Sequence, residues 1–340
     1  MLILDDTGFA KKGIHSAGVG RQYSGTLGRV DNCQVGVFLG YASRHGHTLI
    51  DRRLYLTEGW LTGPAKRRSP RAAVPPEIGF RTKLELAGEM LGCAAERGHL
   101  PYQWVTADAA YGDSHDLRRL VTEQGRWYCF EVSRDAQVWT ADPGWLTPPP
   151  SGRKGRPRTR ARPRPDSVLA RTADEIVRSL PAGDWIRHRV TEGEKGPREY
   201  EFARPRVIEK IHREPGPEGW LLARRPVGSD PGSDIKCYLS NAPSTIALAE
   251  LAWVGCLRPT IEEDFELAKG EVGLDHCEVT KHRGWYHHIT LSLMGARLPE
   301  VGPARMGKKG APASVPEVRQ RLEVVLHGSA GAPPRRSPGT

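Results

Sequence analysis

The first nine residues, Met1-Leu2-Ile3-Leu4-Asp5-Asp6-Thr7-Gly8-Phe9, constrain the fold more than any other stretch of the chain. An apolar run of strand length leads straight into two adjacent carboxylates. An ionised Asp is almost never fully buried unless it is paired or binds a metal. The run therefore either opens a turn at Asp5-Asp6-Thr7-Gly8, as Asp and Gly readily do, or delivers a carboxylate to a cation or a proton-transfer step. Repetition favours delivery: Trp104-Val105-Thr106-Ala107 leads into Asp108, and Ile261-Glu262-Glu263 puts carboxylates on a helical segment.

At 340 residues the chain can bury a full core, as one large domain with an insertion or as two domains. Lys and Arg number 50 against 40 Asp and Glu, a formal charge of +10. That excess favours a polyanionic partner, and because no apolar run reaches the length of a spanning helix, nucleic acid is the expected partner and membrane is not. The six cysteines contain no C-x-x-C pair, which argues against a zinc ribbon or a disulfide framework and for reduced thiols in a cytoplasmic protein.

Taken in order, the opening strand is followed by a polar, Gly-rich loop carrying Lys11, Lys12 and Arg21, a candidate grip for phosphate oxygens. Gln34–Ala42 and Thr48–Leu56 read as strands around His45-Gly46, forming an antiparallel meander with the first. Thr82 to Gly98 has the apolar spacing of an amphipathic helix, Gln103–Ala107 is a strand delivering Asp108, and Ser114 caps a helix to Glu123. Trp127–Val132 is the next strand. Three strands, helix, strand, helix, strand is the order of a mixed sheet flanked by helices.

From 139 to 165 the composition breaks. Ser151 to Pro165 holds seven cations, Arg153, Lys154, Arg156, Arg158, Arg160, Arg162 and Arg164, and no acid. Such a segment reads as an extended arm suited to lie along phosphates, or as a solvated linker. Four short alternating runs follow, Trp185–Val190, Glu199–Ala203, Gly219–Arg224 and Lys236–Ser240. They read as a small β insertion whose last run rejoins the main sheet. Helices are expected at Ser244–Cys256, Thr260–Lys269 and Gly284–Leu298, then a basic, Pro/Gly-rich tail with one further helical stretch at 316–326.

On the second of those helices Arg258, Glu262, Phe265, Glu266 and Lys269 recur at three- and four-residue steps, so they share one face. A surface helix laced with ion pairs gives the same pattern. Set beside Asp6 and Asp108, a third carboxylate provides for two hard divalent cations, since Mg2+ favours a few carboxylates with waters and phosphates. Two such ions roughly 4 Å apart can activate an attacking oxygen and stabilise the leaving one in phosphodiester displacement.

The segments Leu-Asp-Asp-Thr-Gly-Phe-x-Lys-Lys-Gly from Leu4, Gly-Val-x-Arg-Gln-Tyr-Ser-Gly-Thr from Gly18, Val-Thr-Ala-Asp-x-x-Tyr-Gly from Val105 and Ile-Glu-Glu-Asp-Phe-Glu-Leu-Ala-Lys-Gly from Ile261 closely resemble bacterial insertion-sequence transposases of the DDE class. The likeness continues through Gly284-Trp285-Tyr286-His287-His288-Ile289 and fades past Leu298. It implies an α/β fold: an RNase H-like mixed sheet flanked by helices, with a β-rich insertion between the second and third catalytic acids. The implied divisions are a first core part at 1–138, the basic arm and insertion at 139–235, a second core part at 236–298 and a basic tail at 299–340.

The resemblance further implies cut-and-paste transposition with two Mg2+ or Mn2+ ions, on double-stranded DNA, by a homodimer holding paired element ends in the bacterial cytoplasm at the nucleoid. Asp6, Asp108 and Glu262 match the catalytic, metal-binding acids, with Asp5 and Glu263 as neighbours one residue away. Arg258 and Lys269 match basic positions that contact DNA. The sequence departs from relatives in Pro259 where they carry Trp, in His287 where they carry Arg, and in beginning at the first catalytic strand without a helical end-recognition domain. A truncated copy is the expectation, with a metal-dependent nuclease lacking strand transfer, or a catalytically impaired DNA-binding remnant, as the alternatives.

Overall fold

The structure is a computed structural model that describes residues 1–62, 70–146, 162–164, 166–193, 196–229 and 234–301. The elements in its first half are β1 (Leu2–Ala10), β2 (Gly20–Ser24), β3 (Arg29–Ser43), β4 (Gly46–Tyr55), α1 (Glu58–Leu61), α2 (Lys83–Arg97), β5 (Trp104–Ala107), α3 (Ala109–Gly112), α4 (His115–Glu123) and β6 (Trp127–Val132). Then come β7 (Gln137–Trp139), β8 (Trp145–Leu146), β9 (Arg162–Pro163), β10 (Arg171–Thr172), α5 (Ala173–Arg178), β11 (Ile186–Gly193), β12 (Gly196–Ala203), β13 (Arg206–Ile211), β14 (Glu214–Pro226), β15 (Lys236–Ser240), α6 (Leu248–Cys256), α7 (Pro259–Val272) and α8 (His282–Val301).

The chain divides into two compact units. The first comprises Met1–Asp6, Val37–His47 and Arg81–Ile261, and the second Thr7–Gly36, Thr48–Phe80 and the residues from Glu262 onward. In the first, strands run in the order β10-β7-β13-β14-β15-β6-β5-β1. The pairs β1·β5 and β5·β6 are parallel, with Leu4 opposite Ala107 and Trp104 opposite Trp127; the pairs from β6 through β15 and β14 to β13 are antiparallel. Leu2, Ile3, Leu4, Val105 and Ala107 are fully buried, as expected of parallel strands covered on both faces.

The helices are set by local chemistry. A capping box closes the start of α2: Thr82 Oγ1 accepts from Glu85 N at 3.2 Å while Glu85 Oε2 accepts from Thr82 N at 2.7 Å, and Gly98 ends the helix at φ 62°. Ser114 caps α4. Gly112 lets α3 lie against β6, since a Cβ there would meet the Glu131 carbonyl oxygen at 1.8 Å.

Three expectations are corrected. Gly20–Ser24 is a strand and not a loop, because Arg21 to Tyr23 pair antiparallel with β3. The acids of β1 stand inside a strand that continues to Ala10, not at the strand's end. Of the insertion runs, the last, β15, pairs with β6 of the main sheet, but it is not alone in joining it: β14 and β13 extend the same sheet, and Leu221, Leu222 and Ala223 of β14 are buried in succession as in a central strand. Smaller shifts are that α6 begins at Leu248, after a turn from Pro243 to Ile246, and that β13, α3 and α5 were not foreseen.

In the second unit Trp60 and Trp285 are the largest buried side chains; Trp60 Nε1 donates to the Val19 carbonyl at 2.7 Å, and Leu54 N donates to Tyr286 Oη at 3.2 Å. Among the described residues no helix is long and apolar enough to cross a membrane.

Candidate active site

Strand geometry puts the side chains of Asp5 and Asp6 on opposite faces of β1. Asp5 is only 8% exposed. Burial pushes its carboxyl up to about 7, opposed by Arg258, whose Nη2 lies 3.3 Å from Oδ2, and reinforced by the charges of Asp108 and Asp6. The Asp6 backbone N–H donates to Asp5 Oδ1 at 2.7 Å.

Asp6 lies among donors. Lys83 Nζ is 3.0 Å from Oδ1 and 3.1 Å from Oδ2, and Tyr111 Oη donates to Oδ2 at 3.0 Å. Burial and then the Asp6 carboxylate drive the Tyr111 phenol well above its usual range, which keeps it a donor.

Asp108 follows β5 and caps α3, its Oδ1 accepting from Ala110 N at 3.1 Å and Tyr111 N at 3.3 Å. Its Oδ2 lies 3.9 Å from Arg258 Nη2, so one guanidinium serves both Asp5 and Asp108. Burial raises the Asp108 carboxyl above its ordinary range, with Arg258 acting against it and Asp6 with it. Arg258 thus bridges Asp5 and Asp108, both raised by burial, while partly exposed Asp6 is held by Lys83 and Tyr111.

The remaining predicted residues lie in the second unit or outside the described residues. Glu262 and Glu263 are both exposed on α7, while Asp264 beside them is buried. Half-buried Lys269 donates from Nζ to Thr7 Oγ1 at 2.8 Å, and burial lowers its pKa. Lys11 donates to the Cys277 carbonyl, whereas Lys12 and Arg21 point to solvent. Arg153, Lys154, Arg156, Arg158 and Arg160, and the tail helix expected at 316–326, lie outside the described residues.

Sequence reasoning missed Lys83 and Tyr111. Tyr111 stands in the Ala-Asp-x-x-Tyr-Gly motif, and one turn of helix beyond the cap returns its side chain toward the acids. Lys83 has no such signal beyond its place at the first position of a well-capped helix.

Among the described residues no group of three His, Cys, Asp or Glu side chains is gathered closely enough to hold a metal ion. Carboxylates are nonetheless the donor chemistry of a hard divalent cation, and here Lys83 lies against Asp6 and Arg258 against Asp108.

A family model of DDE superfamily endonucleases matches residues 1–197, and the chain belongs to that family. The match takes in Asp5, Asp6, Lys83, Asp108 and Tyr111. Members of the superfamily generally use divalent metal ions. Among solved structures the chain is similar to the piggyBac transposase in its synaptic complex with hairpin DNA, at 13% identity and a TM-score of 0.42 over 100% of this chain. The chain spans 58% of that protein's length. No curated protein matches it.

Proposed function

We propose that this protein is a DNA transposase that cleaves phosphodiester bonds in a metal-dependent reaction and transfers the strand ends of an insertion sequence. Membership of the DDE endonucleases supplies the reaction class, and the observation that carries the reading is the Asp6–Asp108 pair. These two acids, distant in sequence, both belong to the first unit, and the charge of Asp6 adds to burial in raising the Asp108 carboxyl above its usual range. The raised carboxyl of Asp108 beside a second acid supports a functional site, and a divalent cation is the partner that would relieve it.

In this reading Asp6, Asp108 and Glu262 are the catalytic acids, and they would hold two Mg2+ or Mn2+ ions. Bound there, the ions would supply Lewis-acid stabilisation of the attacking and leaving oxygens. The chain's own groups do the positioning. The start of α3 fixes the Asp108 rotamer, Tyr111 and Lys83 orient Asp6, and Arg258 keeps Asp5 and Asp108 from repelling each other. Lys11, Lys12, Arg21, Lys269 and the arm with Arg153, Lys154, Arg156, Arg158 and Arg160 would grip the phosphates of double-stranded DNA, with a homodimer holding paired ends.

The test is strand transfer: labelled element-end DNA with a free 3′-hydroxyl, target plasmid and Mn2+, with the wild-type chain against Asp6→Ala, Asp108→Ala and Glu262→Ala. Joined product from the wild type alone supports the reading. Nicking without joining leaves a nuclease, and salt-sensitive DNA binding with neither activity leaves a DNA-binding remnant.

A further inference from the structure

The Asp6 carboxylate is occupied. Lys83 Nζ lies almost equally far from its two oxygens, at 3.0 and 3.1 Å, which is where a cation chelated by that carboxylate would sit. Both residues belong to the first unit. The contact is also built, not incidental. Lys83 is the first residue of α2, whose start is pinned by the Thr82–Glu85 capping box and by Arg81 Nε on Glu89 Oε1 at 3.0 Å. Tyr111 Oη completes the shell of Asp6. The side chains of Lys83 and Asp6 are 30% and 15% exposed, so the pair is partly screened from water but open to exchange.

Mg2+ sits about 2.0–2.1 Å from its carboxylate oxygens. An ammonium about 3 Å from the same two oxygens occupies the same bite, and two cations packed so closely repel strongly at the low effective dielectric of a half-buried site. They compete for one seat.

We propose that Lys83 is an internal counter-ion that occupies the Asp6 carboxylate until a divalent cation displaces it, and so sets how tightly the site takes metal. The inference rests on Asp6 being a metal ligand, as in the function proposed above. Without metal, Lys83 neutralises Asp6 next to Asp108; with metal, its ammonium swings clear on a flexible four-carbon stem, free to meet a substrate phosphate.

The experiment is Mn2+ binding to the full chain, followed by the loss of the free-ion electron paramagnetic resonance signal, with no DNA present. Lys83→Met should bind Mn2+ about tenfold tighter than wild type, because the competing charge is gone. Lys83→Arg, which keeps the charge, should stay within about twofold of wild type by the same reasoning. The melting temperature of metal-free Lys83→Met should fall and recover on Mn2+ addition by more than the wild type gains; if that variant does not fold, Lys83→Gln is read in its place.

Affinity unchanged or weakened in Lys83→Met, with Asp6→Asn losing Mn2+, would overturn this inference alone. Equal Mn2+ binding by wild type and Asp6→Asn would overturn the metal-site reading and the inference with it.

Discussion

Two carboxylate sites lie buried in the first unit, and they are built in opposite ways. Glu209 on β13 is 3% exposed and fully partnered. Its Oε2 accepts from Arg118 Nε at 3.1 Å, its Oε1 accepts from Tyr128 Oη at 2.6 Å, and His115 lies 3.7 Å away. Burial alone would raise its pKa, but the bonds from His115, Arg118 and Tyr128 outweigh it and hold the carboxyl below its usual range. Asp5 is buried to a similar degree with one guanidinium at 3.3 Å that it shares with Asp108, and its carboxyl rises to about 7. Burial does not decide the state of an acid; the number of donors does. Glu209 carries the pattern of a structural ion pair, tying β13 to α4 and β6, whereas the acids around Asp6 are left short of positive charge, the condition a divalent cation relieves.

The comparison can be broken from either side. The largest effect should come from Arg118→Met, which strands the Glu209 charge in the core; about 3–5 kcal/mol of stability should be lost in urea unfolding, as when one partner of a buried pair is removed. Tyr128→Phe deletes one short bond to the same charge and should cost about 1.5–3 kcal/mol in the same assay. Tyr111→Phe removes a donor from partly solvated Asp6, and a loss of about 1 kcal/mol is expected, with Lys83 still in place.

The subtlest effect is in pH dependence. The raised folded pKa of Asp5 gives a contribution fully present below its unfolded pKa near 3.8 and lost as pH rises through about 7. The lowered pKa of Glu209 acts oppositely, its contribution being present above the unfolded value near 4.5 and lost as pH falls through the folded one. Asp5→Asn should therefore flatten the fall in stability between roughly pH 4 and 7, and Glu209→Gln should leave that fall intact while removing the acid-side loss. Melting temperatures from the acid side of both unfolded values up to about pH 7 decide it.

Much of the acid cluster could be read in the chain itself. An apolar strand ending in Asp108 and the helix capped by Ser114 are local signals, and they correspond to β5 and α4. The helix after Thr82 was legible for the same reason, since a capping box and an αL glycine act within a few residues. What stayed hidden depends on long-range partners. Lys83 meets Asp6 across 77 positions. β13, Arg206-Val207-Ile208-Glu209-Lys210-Ile211, looks too charged for an inner strand until Arg118 and Tyr128 are seen to satisfy Glu209. β2 hid behind Gly20 and its polar side chains, which become strand residues only by pairing with β3. The choice between Asp5 and Asp6 was open for a related reason, because a strand shows which neighbours alternate but not which face meets the other acid.

That choice is also where the account is most exposed. Nicking of supercoiled DNA in Mn2+ should be compared for the wild-type chain, Asp5→Asn, Asp6→Asn and Asp108→Asn. The account predicts that Asp6→Asn and Asp108→Asn fall by about a hundredfold or more, the scale expected when several kcal/mol of transition-state stabilisation is lost, while Asp5→Asn keeps most of the rate. Wild-type nicking by Asp6→Asn, or loss in Asp5→Asn alone, would contradict it.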